Sequence, residues 1–141
     1  MDYLDGLSGL NKFGKFLIRN CKDSQLKWLE TALEKTGKNQ PQCLLMDKLQ
    51  ALDDHTRDLI RACVAVAAVN GLHDFLSALE KAHDLYDNEV RVVVDGQDIV
   101  DLAADGIIRW DLFDWDRMFS GYPNLDEAEN CLVTRKPLAG Q

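Results

Sequence analysis

No two of the four cysteines, Cys21, Cys43, Cys63 and Cys131, stand in a Cys-x-x-Cys pair, which excludes the spacing of a zinc ribbon or a dithiol redox motif. Reduced thiols are the expectation. There is also no Gly-x-Ser-x-Gly elbow, no Gly-rich phosphate loop and no His-Glu-x-x-His, so the common signatures of hydrolases, nucleotide-binding proteins and zinc proteases are absent. No apolar run reaches the roughly 20 residues that a membrane span needs. The opening Met1-Asp2-Tyr3-Leu4-Asp5-Gly6 lacks a basic region followed by an apolar one, so no secretory signal is read and the cytosol is the expected location. Internal repeats and low-complexity segments are missing as well. What remains is 141 residues with 46% apolar content, a size and composition suited to one compact domain.

Charge is present but unevenly spread. The net charge is −8, yet Met1 to His83 carries equal numbers of acids and bases, while Asp84 to Asn130 holds thirteen acids against Arg91, Arg109 and Arg117. An acidic segment of this kind repels nucleic acid and anionic lipid, and attracts a basic partner.

The apolar pattern is mainly helical. Leu4, Leu7, Leu10, Phe13 and Leu17 recur at steps of three or four, while Gly6, Gly9 and Gly14 weaken the helix, so that it is expected to begin only near Ser8. Asn20 to Asp23 reads as a polar break, after which Leu26, Leu29 and Leu33 form a second stripe capped by Asp23 or Ser24 and stopped by Gly37. Pro41 opens a third helix with Leu45, Leu49 and Leu52 facing inward. Leu59 to Val69 holds only Arg61 as a polar residue, so a helix there is apolar on nearly every face and is expected to be a buried pillar capped by Asp53 or Asp54. Asn70-Gly71 should end or kink it, and Leu72, Phe75, Leu76, Leu79, Ala82 and Tyr86 give a fifth helix.

After Val90 the pattern changes. Val90-Arg91-Val92-Val93-Val94 is strand-like, and Asp95-Gly96 is a favoured two-residue hairpin turn. Residues 97–110 read either as strand or as helix. The favoured course is a short return strand passing quickly into a helix capped by Asp98 and ended by Gly106, then a strand-like Ile107 to Trp110 and a last helical turn begun by Asp111, with Ile108, Leu112, Trp115 and Phe119 on one face. The expected fold is therefore mainly α: a single helical domain of five or six helices with a small β-hairpin in the C-terminal half. Its parts are a helical 1–88, a hairpin with short helices over 89–122, and a weakly structured tail over 123–141.

Candidate chemistry is sparse. Glu80, His83, Asp84 and Asp87 share a helical face and would hold a metal only if a second segment supplied further ligands. His73 lies about 10 Å along the helix from Glu80, too far to share one ion. Cys63, in the most apolar stretch, is expected to be inert, so a Cys63, His73 and Asp74 arrangement carries little weight. The runs Asp95, Asp98, Asp101, Asp105 and Asp111, Asp114, Asp116 fit no calcium loop, and are read in part as caps and turn residues. Neither a metal nor a cofactor is assigned, and no catalytic residue is named. The strongest feature is aromatic: Trp110, Phe113, Trp115, Phe119 and Tyr122 alternate with aspartates, pairing apolar anchors with charges that steer a basic partner.

At Gly71-Leu72-His73-Asp74-Phe75-Leu76, Val92-Val93-Val94-Asp95-Gly96, Asp105-Gly106 and Trp115 to Ser120, the chain resembles a group of small, functionally uncharacterised bacterial proteins. These join a Gly-aliphatic-His-Asp helix start to a Val-Asp-Gly hairpin. The resemblance covers about Leu59 to Tyr122 and implies an α-rich fold with a hairpin, in which His73 and Asp74 serve the local backbone. It implies no activity.

These readings lead to a non-enzymatic, acidic interaction protein, of the toxin-immunity or inhibitor type, that contacts a basic protein through Asp98, Asp101, Asp105, Trp110, Asp111, Phe113, Asp114 and Asp116. A small enzyme or ligand-binding domain with a metal or ligand site near His73, Glu80 and His83 is the first alternative. A homo-oligomer, in its simplest form a homodimer burying the aromatic segment, is the second.

Overall fold

The computed structural model describes residues 7–34, 43–85, 90–124 and 126–127. Helix α1 (Gly9–Leu17) starts where Ser8 accepts a hydrogen bond from the Asn11 backbone N–H at 3.2 Å. It does not stop at the polar run after Leu17. A single wider π turn, Ile18–Lys22, carries the chain straight into α2 (Asp23–Glu34). This turn brings the neighbours Lys22 and Asp23 inward together, so residues that look like a break are buried polar contacts instead. Leu26, Leu29, Ala32 and Leu33 bury the expected face of α2. The Gly37 stop and the Pro41 start fall outside the described residues.

In α3 (Cys43–Gln50) the inward residue is Met46, while Leu45 is about half exposed and Leu49 and Leu52 are only partly covered. The expected Leu45 face is therefore displaced by one residue. Helix α4 (Asp54–Leu85) is capped by Asp53, which accepts from the Thr56 backbone N–H at 2.8 Å, and it continues through Asn70-Gly71 for 32 residues. Packing on both halves overrides the local helix-breaking signal of one glycine, worth about 1 kcal/mol. The first half lies against α2, and the second lies against the segments after residue 98. By length and composition α4 is able to cross a membrane, with a mean hydropathy of 1.5 over its most apolar 18-residue window. An expectation that stops at Asn70 misses this.

The pillar is not buried all round. Ala62, Ala65 and Val69 face inward, but Leu59, Cys63 and Ala67 are exposed.

Strands β1 (Val93–Val94) and β2 (Gln97–Asp98) form the hairpin, antiparallel with Val93 opposite Asp98 and Val94 opposite Gln97. Asp95 and Gly96 both take positive φ, 51° and 81°, as the two-residue turn requires. Asp98 then caps α5 (Ile99–Leu102) by accepting from the Val100 N–H at 2.9 Å. Ile107 to Trp110 is not a strand. Ile108–Trp110 is a 3₁₀ turn in which Ile108 is fully buried and the Arg109 N–H donates to Glu80. The chain thus turns tightly into α6 (Asp111–Phe119).

The main core is built by Phe13 and Leu17 from α1, Ile18 from the π turn, Val69, Leu72, Leu76 and Leu79 from α4, and Ile99, Ile108, Leu112 and Trp115 from the C-terminal segments. Phe13 meets the Trp115 ring edge to face at 6.1 Å. Gly14 is pressed against that same ring, which leaves no room for a side chain. The Trp115 indole N–H donates to Asn11 Oδ1 at 3.1 Å, so its polar edge is satisfied.

Candidate functional site

The eight residues expected to meet a partner separate into three groups. Asp116 is buried, 3% exposed, and its carboxylate accepts from Lys22, which is itself fully buried. Lys22 also donates to Ser120 Oγ at 3.2 Å and the Pro123 carbonyl at 3.1 Å. Beside it, buried Asp23 accepts from Ser120 Oγ at 2.6 Å and the Gly121 N–H at 2.8 Å. Asp116 is therefore part of an internal polar clasp that fastens the chain after α6 to the π turn. It is not available to a partner, in contrast to the expectation, because it is buried and its charge is already paired inside.

Asp98 and Asp101 belong to a second group. Asp98 is the cap of α5, while Asp101 in the same short helix reaches back to α4 and pairs with His83 Nε2 at 2.8 Å. The other ring nitrogen of His83 meets Asp84 Oδ1 at 2.9 Å. The carboxylates of Asp84 and, next, Asp101 hold the His83 pKa above its ordinary value of 6.5.

The third group is exposed. Trp110 is 66% exposed and Phe113 41% exposed, and Asp105 and Asp114 of the same acidic segment are exposed too. Asp105 adopts a left-handed backbone, φ 57°, in keeping with a turn residue. Asp111 is half-buried, and desolvation, followed by repulsion from Asp114, raises its carboxyl pKa above the ordinary 3.8. Among the other aromatics, Trp115 belongs to the core, Phe119 is half-buried with the Lys15 ammonium 5.8 Å above its ring, and Tyr122 is partly covered. The aromatic run is thus divided: Trp110 and Phe113 face outward and Trp115 inward.

His73, Glu80 and His83 do not converge. Buried Glu80 accepts from the Arg109 guanidinium and from the Arg109 N–H at 2.9 Å. His73 lies 3.7 Å from exposed Asp74. This arrangement differs from the expected shared site because each residue on the long helix meets a different neighbour. Asp87 lies outside the described residues. Cys63 is exposed, contrary to the burial expected from its apolar surroundings.

Sequence reasoning missed the Lys22–Asp116 pair, whose members are 94 residues apart, and the approach of Asp98 and Asp101 to His83. The only local signal for the latter was that Asp98 sits where a cap is wanted. No protein-family model, curated protein or solved structure matches the chain.

Proposed function

We propose that this is a non-enzymatic cytosolic binding protein that docks on a basic protein partner through Trp110 and Phe113, with Asp105, Asp111 and Asp114 around them. The observation that carries the reading is the two-thirds exposure of the Trp110 indole within the most acidic third of the chain. A large exposed aromatic gives an anchor whose burial stabilises a complex, and the neighbouring carboxylates speed the approach of a cationic surface. A bacterial nuclease toxin fits this description, since its working surface must attract phosphate, and toxin immunity is then the role. The resemblance to small bacterial proteins is consistent with that setting.

The test is retention of partners by tagged full-length chain from a lysate of its source organism, washed at low and then high salt, beside the Trp110→Ala and Asp114→Asn variants. The expected result is one basic protein held by the unaltered chain at low salt, released at high salt and depleted on both variants. An identical retained set for all three chains contradicts the reading.

Self-association is the second reading, supported by the exposure of Leu59, Cys63 and Ala67 along α4. Light scattering over a dilution series checks it: a constant monomer mass removes it.

A further inference from the structure

We propose that His83, Asp98 and Asp101 form a binding site for a divalent cation of the zinc class, with His83 Nε2 and one oxygen from each carboxylate as ligands. The proposal is independent of the Trp110 docking face. The three candidate ligand atoms lie within 4.8 Å of one another and come from the last turns of α4, the end of β2 and the first turn of α5. Ligands on a tetrahedral zinc with bonds of about 2.0–2.1 Å stand about 3.3 Å apart. His83 Nε2 and Asp101 Oδ1 stand 2.8 Å apart, and because Asp101 is exposed a side-chain torsion is enough to open that contact to the metal spacing.

The orientation of the imidazole gives a further argument. Asp84 is outside the ligand set, and its Oδ1 lies 2.9 Å from His83 Nδ1. A carboxylate in that position keeps the proton on Nδ1 and directs the Nε2 lone pair outward, the arrangement in which metal-binding histidines are held. In the metal-free chain Nε2 shares a proton with the Asp101 carboxylate, and a bound cation takes that proton's place. Asp98 adds a third donor held in place, because one of its oxygens is fixed by the Val100 N–H. Nitrogen with two carboxylates suits zinc, and three protein ligands leave a coordination position open for water.

The experiment uses the full chain, stripped by a chelator and titrated with zinc chloride in a calorimeter, with imidazole nitrogen resonances followed by NMR. The expected result is saturable one-to-one binding that shifts His83 while His55 and His73 stay in place. His83→Gln and Asp101→Asn should each weaken binding about ten-fold or more, and Asp84→Asn about ten-fold. Absence of saturable binding overturns the proposal. So does a shift confined to His55 or His73, or unchanged affinity in a folded His83→Gln chain. The imidazole spectrum of the unaltered chain decides the matter even where a variant fails to fold.

Discussion

The stretches Leu59–Val69 and Ile99–Ser120 exchange the places that their compositions suggest. The first is almost wholly apolar, yet Leu59, with 45% exposure, Cys63 and Ala67 face solvent. The second lies in the most acidic third of the chain, yet it supplies Ile99, Ile108, Leu112 and Trp115 to the core and buries Asp116 beside them. Composition sets how much burial a segment can tolerate. Neighbouring elements decide which face receives it. Helix α4 is covered in its first half on the face holding Ala62, Ala65 and Val69, whereas α5 and α6 are short pieces folded over its second half.

Several substitutions break or sharpen this contrast. The largest loss is expected for Trp115→Ala, about 3–5 kcal/mol, since it removes a ring buried against Phe13 and Gly14 and leaves Asn11 without its partner. Urea denaturation measures it. Gly14→Ala comes next at about 1–3 kcal/mol, because the added methyl meets the Trp115 ring and overpacking outweighs the gain in helix propensity. Reversal of that sign would show that α1 and α6 slide apart freely.

A smaller effect is expected at the exposed cap of α4. The Thr56 backbone N–H first, and then its hydroxyl, hold the Asp53 carboxyl below the ordinary 3.8. The fold therefore favours the ionised form: its stabilisation is present above pH 3.8 and is lost as pH falls through the lower folded value. Asp53→Ala should lower the melting temperature at pH 7, and the difference should shrink at strongly acid pH. Smallest of all, Cys63→Ser and Ala67→Ser on the uncovered face should each change stability by no more than about 0.5 kcal/mol. A large loss at either would mean that this face is covered.

Local patterns were legible wherever one short segment decides its own structure. Ser8, Asp53 and Asp98 cap the helices that follow them, Asp95-Gly96 turns the hairpin, and Leu26, Leu29 and Leu33 face inward as their spacing requires. The missed features depend on residues far apart in sequence. Asn20 to Asp23 resembles a loop until Asp116 and Ser120 are placed beside Lys22 and Asp23. Ile107 to Trp110 resembles a strand until Glu80 takes the Arg109 N–H. In the candidate site, Trp110 and Phe113 are anchors by residue type, but no periodicity tells an exposed Asp114 from a buried Asp116.

That distinction is most directly tested by urea denaturation of Asp116→Asn beside Asp114→Asn, the same chemical change two residues apart. Removing the charge of Asp116 leaves Lys22 buried without its counterion and should cost about 3–5 kcal/mol. Asp114 is exposed, with a surface contact to Arg117 at 3.4 Å, so its replacement should fall within about 0.5 kcal/mol of the unaltered chain. Equal losses for the two variants would contradict the division of this acidic segment into a structural interior and an available surface.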